Sequence, residues 1–156
     1  MGDKLNICRK ALADLNGMDK VEVEVVSRFY FTEPMDYSNQ PWFVNAAARI
    51  RTSADPADLL FILKSFETEY GRKDGGVRFG PRPLDFDIIF FNALIVDTPE
   101  LIVPHPRMHL REFVLRPISD IAPDFIHPVF CKSIRRMLAD LRNENQQCIP
   151  MKETIP

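Results

Sequence analysis

A short apolar run that carries two carboxylates, Leu84-Asp85-Phe86-Asp87-Ile88-Ile89-Phe90-Phe91, constrains this chain more than any other segment. Gly80, Pro81 and Pro83 bound it upstream, and its apolar residues predict a buried β-strand. Asp85 and Asp87 stand at i and i+2, so on a strand they share a face, roughly 7 Å apart at a rise of ~3.3 Å per residue. Burying like charges side by side is costly unless a cation or strong donors compensate. A divalent, oxygen-seeking metal would compensate, and Arg78 and Arg82 just upstream would bring a phosphate-bearing ligand to the same place. The plainer alternative is one exposed and one salt-bridged carboxylate at a strand end. Phosphoryl or nucleotidyl chemistry is the first inference.

The 156 residues, 46% hydrophobic and 27% charged, suffice for one soluble domain with its own core. Residues 1–145 are assigned to that domain and residues 146–156 to a flexible tail. A formal net charge of −2 argues against a general nucleic-acid footprint, so any anion site is local. No apolar run reaches the ~18 residues needed to cross a membrane, and the first residues lack a basic-then-apolar signal segment. Cys8, Cys131 and Cys148 are odd in number and far apart. That favours reduced thiols and a cytoplasmic setting over disulfides or zinc.

Asp3 can cap a helix with Leu5, Cys8, Leu12 and Leu15 on one stripe. Val21, Val23 and Val25 alternate with Glu22 and Glu24, predicting a strand that continues through Phe31. Trp42 to Arg51 reads as a second strand, paired with the first as an antiparallel hairpin with a long connection. Asp55-Pro56 opens a helix that runs through Leu59, Leu63, Phe66 and Tyr70 and is expected to stop at Gly71. Residues 72–80 hold three glycines and are the expected moving loop. Pro99 to Pro128 reads as mostly irregular, and Ser133 to Leu141 as a last amphipathic helix. This order predicts an α+β sandwich with helices packed on a mainly antiparallel sheet. A ferredoxin-like unit runs β-α-β-β-α-β, and here the N-terminal strand is expected to be missing because the helix starts at residue 3.

Arg72, Arg78 and Arg82 surround the glycine-rich loop, and their planar forks suit phosphate oxygens. Gly71, Gly75, Gly76 and Gly80 would let that loop fold over a ligand. Neither a P-loop nor a G-x-G-x-x-G turn occurs. His105 and Arg111 read as phosphate donors, while Pro106 argues against a helical metal pair of His105 and His109. His109 and His127 are expected to be surface histidines. Phe43, Phe79 and Phe113 would be core by default, but Phe79 and Phe113 adjoin polar candidates and could stack a flat heterocycle. Asn45 could read the edge of such a ring; the alternative is an exposed strand polar. No Ser-His-Asp or Cys-His arrangement stands out.

The segment from Arg78 through Phe91 resembles the hallmark of the 6-hydroxymethyl-7,8-dihydropterin pyrophosphokinase family of folate biosynthesis. Ser27 to Thr32, Gln40 to Ala46, Glu67 to Arg72, Val103 to Leu115 and Pro117 to Pro123 are similar to that family in the same order. The resemblance implies a Mg²⁺-dependent transferase moving the β,γ-pyrophosphate of ATP to the pterin hydroxymethyl group, leaving AMP. Asp85 and Asp87 would hold two Mg²⁺ ions. Arg82, His105 and Arg111 would neutralise phosphate charge, Arg72 would join them on loop closure, and Glu67 and Ile88 would lie near the nucleotide. The pterin would sit between Phe79 and Phe113, with Thr32, Met35, Phe43 and Asn45 around it. The expected partners are these two small molecules, with no nucleic acid and no membrane, and the chain is expected to be a monomer.

Some positions depart from the family pattern. Its usual first strand, ending Gly-Ser-Asn, has no counterpart; Phe79 replaces a common Trp and Glu33 a common Pro; Asp74 and Val77 stand where basic or polar residues are usual. The missing strand motivates a second reading, a degenerate non-catalytic relative that binds nucleotide or pterin. A third is another two-metal enzyme such as a phosphohydrolase.

Overall fold

The computed structural model of the protein describes residues 2–34, 41–73, 84–141 and 147–152. The chain divides into two units, Met1–Val23 with Ile50–His105, and Glu24–Arg49 with Pro106–Pro156.

In the first unit, helix α1 (Gly2–Asn16) and helix α2 (Pro56–Lys73) build one core. Ala11 and Leu15 of α1 meet Leu59, Leu63, Phe66 and Tyr70 of α2, joined by Val21, Ala54 and Leu84. The predicted stripe on α1 is turned slightly, so Ala11 and Leu15 are buried while Leu5, Cys8 and Leu12 are only half-buried. Asp55 caps α2 as expected, its Oδ1 accepting from the Asp58 amide at 2.8 Å. Gly71 does not take the left-handed conformation that ends a helix, and α2 runs on to Lys73. The Tyr70 hydroxyl donates to the Asp14 carboxylate and ties α2 to α1.

The long first strand predicted from Val21 to Phe31 is two strands, β1 (Val21–Val26) and β2 (Tyr30–Thr32). The second likewise splits into β3 (Phe43–Asn45) and β4 (Ala48–Thr52). The strand β1 pairs with β4, and β2 pairs antiparallel with β3. Ser27 marks the break: its amide donates to the Ala47 carbonyl at 2.8 Å, and its Oγ accepts from the Ala47 amide at 2.8 Å. A side-chain oxygen thus stands in for a ladder acceptor.

Leu84 to Phe90 enters no ladder among the described residues, which corrects the expected strand. Its side chains still alternate. Leu84 is buried and Phe86 and Ile88 are half-buried against the core, while Asp85 and Asp87 are exposed. Its backbone bonds go elsewhere: the Phe86 amide donates to Glu67, and the Ile89 carbonyl accepts from the His105 amide at 3.0 Å. Next come β5 (Val96–Asp97) and β6 (Ile102–Val103), an antiparallel pair.

The second unit holds a sheet in the order β3-β2-β7, where β7 (Cys148–Pro150) pairs Thr32 with Cys148 and Tyr30 with Pro150. This strand falls in the segment expected as a tail. Helix α3 (Glu112–Ile121) lies within the stretch expected to be irregular. Pro117 removes one backbone donor from the helix, but Leu115, Pro117 and Ile118 are all buried, and packing overrides the breaker. Ser133 caps helix α4 (Ile134–Asp140), its Oγ accepting from the Arg136 amide at 3.1 Å. Arg28 and Tyr30 both bond to Asp120 at the end of α3, with Arg28 Nη2 at 2.9 Å and Tyr30 Oη at 2.8 Å. Burial raises the Asp120 carboxyl, but these bonds outweigh it and hold it below the usual carboxylate value.

Candidate functional site

The first unit carries the acidic candidates, and α2 positions them. Glu67 is buried at 6% exposure, and its Oε1 accepts from the Phe86 amide at 2.5 Å. Both Glu67 oxygens lie 3.3 Å from Lys64 Nζ. Burial raises the Glu67 carboxyl above its ordinary range, against the opposing pull of the Phe86 amide and the Lys64 ammonium. With Leu84 in the core and Phe86 bonded to Glu67, the intervening Asp85 can only project outward.

Asp85 and Asp87 are exposed, and Asp85 keeps 64% of its side-chain exposure. This corrects the expected burial of the pair, because the apolar alternates Leu84, Phe86 and Ile88 take the inward side. Asp85 Oδ1 lies 3.8 Å from Lys64 Nζ, which is the plainer arrangement: one carboxylate paired and both in contact with water. Ile88 packs on the core, and the His105 backbone is tied to Ile89, next to Ile88.

Among the described residues, no group of three or more His, Cys, Asp or Glu side chains could hold a metal ion. Two exposed carboxylates nevertheless suit Mg²⁺, which keeps several waters and takes one or two protein carboxylates together with substrate phosphates. The donor chemistry fits, and a closed protein cage is not required.

The second unit carries the polar and aromatic candidates. Thr32 is fully buried on β2, and Asn45 Nδ2 donates to its Oγ1 at 2.6 Å. Asn45 is therefore half-buried and bonded, not an exposed strand polar. Phe43, opposite Thr32 in the ladder, is 45% exposed and is not core. The Arg111 guanidinium stands 5.5 Å from the centre of the Phe113 ring, so a phosphate candidate and a stacking candidate are neighbours. Helix α3, which carries Phe113, packs against β2 and β3.

Met35, Phe79, Arg78 and Arg82 lie outside the described residues, as does the Arg72 side chain, although the Arg72 backbone belongs to α2. Lys64 escaped the sequence reading; its one signal was a position three residues before Glu67 on a helix. His127 is corrected from surface to buried. It is 3% exposed, its Nδ1 accepts from the amides of Val129 and Phe130, and Phe130 stacks on it at 4.3 Å. Burial, and then His109, push its imidazole below the usual value. His109 meets the same Phe130 ring edge-on at 4.8 Å.

Fold and site together define an α+β protein with paired oxygen donors in one unit and a polar, aromatic surface in the other, features of a small-molecule enzyme. No helix among the described residues is long and apolar enough to cross a membrane. Residues 1–123 match the family described as 7,8-dihydro-6-hydroxymethylpterin-pyrophosphokinase. The chain is 44% identical over 121 residues to the 2-amino-4-hydroxy-6-hydroxymethyldihydropteridine pyrophosphokinase of Bacillus subtilis, covering 78% of this chain and 72% of that one. Against the enzyme of that name from Aquifex aeolicus, identity is 33% over 145 residues, 93% of this chain and 86% of the other. A folic acid synthesis protein of Dictyostelium discoideum is 41% identical over 133 residues, which is 83% of this chain but only 20% of that protein. The chain thus spans about a fifth of that longer relative and most of the two bacterial ones. It belongs to the 7,8-dihydro-6-hydroxymethylpterin-pyrophosphokinase family.

Proposed function

We propose that this chain transfers the β,γ-pyrophosphate of ATP to the hydroxymethyl oxygen of 6-hydroxymethyl-7,8-dihydropterin, giving the pterin diphosphate and AMP in folate biosynthesis. One observation carries the reading onto this chain's chemistry: Asp85 and Asp87 project to the same solvent side of a segment whose apolar alternates are packed inward. Two carboxylates so placed have no packing role. They are suited to bind two Mg²⁺ ions, which when bound would neutralise the triphosphate and polarise the accepting hydroxyl.

In this reading the protein does little covalent work and acts by position and charge. Glu67 and Ile88 hold the nucleotide side, with Arg82, His105, Arg111 and Arg72 neutralising phosphate oxygens. The pterin is held by Thr32, Met35, Phe43 and Asn45, with stacking on Phe79 and Phe113. The hydrogen bond from Asn45 to Thr32 supports this, because it orders a donor–acceptor pair that could read the edge of a flat ring. The finer fold assignment, a ferredoxin-like arrangement, belongs to the same reading, as do monomeric action and a cytoplasmic setting. Three free cysteines support a reducing compartment.

The test is AMP release from ATP, Mg²⁺ and 6-hydroxymethyl-7,8-dihydropterin by the 156-residue chain. The expected result is AMP that appears only when the pterin is present and disappears when Mg²⁺ is chelated. ATP cleavage indifferent to the pterin would make the chain a phosphohydrolase. A folded, soluble sample that binds ATP without turnover would make it a binding-only relative.

A further inference from the structure

Lys64 has no role assigned in the proposed transfer; it is an exposed lysine, but its ammonium has a buried partner. Its ammonium lies 3.3 Å from both oxygens of Glu67. Glu67 cannot swing away, since its side chain is only 4% exposed and it also accepts the Phe86 amide. The same ammonium stands 3.8 Å from Asp85 Oδ1. An ordinary exposed ion pair is loose because both partners are mobile. Here one anchor is buried and pinned, so the positive charge is delivered to Asp85 by the packing of α2.

We infer that Lys64 is a resident counter-cation for Asp85 that competes with a free divalent ion for this carboxylate. The inference rests on reading Asp85 and Asp87 as metal ligands. A second cation at Asp85 must either displace the ammonium or bear its repulsion at close range. A divalent ion that arrives already bound to a triphosphate brings compensating negative charge, and the ammonium then has phosphate oxygens to donate to. Lys64 is thus a positioning residue that disfavours metal entry ahead of nucleotide.

Mn²⁺ can be titrated into the nucleotide-free protein and the free ion followed by electron paramagnetic resonance. The wild type, K64Q, K64M, K64R and D87N would be compared. Loss of the charge in K64Q and K64M should tighten Mn²⁺ binding by about three- to tenfold, since a divalent ion feels twice the repulsion of a unit charge. K64R, which keeps the charge, should bind as the wild type does, and D87N should bind more weakly. The gap between wild type and K64Q should narrow as KCl is raised, because both Lys64 and Asp85 are exposed. Unchanged or weaker binding in K64Q and K64M, with D87N still impaired, overturns the role of Lys64 and leaves the metal reading intact. Equal Mn²⁺ binding by D87N and wild type overturns the metal reading, and the inference with it.

Discussion

Phe86 decides where two carboxylates point. Its amide is bonded to Glu67 and its ring meets Phe66 edge-on at 5.9 Å, so its neighbours Asp85 and Asp87 turn to solvent. An exposed side chain contributes little to stability, usually within about 0.5 kcal/mol. Asp87→Ala should therefore leave the far-ultraviolet circular dichroism and the urea midpoint close to wild type while AMP formation falls to background. A variant that still turns over would remove Asp87 from the chemistry. The alternation that predicted a shared face for the two carboxylates was legible in residues 84–88. Their exposure was not, because it depends on Glu67, nineteen residues earlier, accepting the Phe86 amide.

Two tyrosines tie elements together and give the protein a pH signature. Tyr30 of β2 donates to Asp120 of α3, and Tyr70 of α2 donates to Asp14 of α1. Burial, reinforced by the carboxylate partner, pushes each phenol up to about 12 from an ordinary 10.0. Below pH 10 both phenols are protonated whether or not the chain is folded, so their contribution is fully present. Between 10 and about 12 the unfolded chain loses these protons while the folded chain keeps them, so stability falls as pH rises. Urea midpoints measured from pH 9 to 12 should decline, and the decline should be shallower in Tyr30→Phe and in Tyr70→Phe. A pH-independent midpoint would dismiss both links. Helix starts at this scale were legible where a cap and a proline coincide, as at Asp55-Pro56. Helix α3 was not, since it lies in a Pro-rich stretch and its own Pro117 reads as a breaker; only the burial of Leu115, Pro117 and Ile118 shows why the helix survives.

Each unit has apolar residues of its own to lose. Leu63 is 5% exposed in the first, and Leu115 is fully buried in the second. Truncating either to Ala leaves a cavity that the surroundings fill only in part, and should cost about 2–5 kcal/mol. Urea denaturation of Leu63→Ala and of Leu115→Ala would measure this, and a loss below about 1 kcal/mol in either would mean that the site collapses around the gap. Local stereochemistry determined part of this protein: the period-two alternation around Asp85 and Asp87, the capped start of α2, and the alternation of Val21, Val23 and Val25 that makes a strand. These depend on residues within a few positions of one another, where chain geometry alone limits the outcome. Tertiary structure decided the rest. It interrupted the strands at Ser27, paired β7 with β2, buried His127, and set Lys64 between Glu67 and Asp85. Each of these links partners distant in sequence or depends on burial, and which partners meet is settled by how apolar faces pack, a quantity no single segment contains.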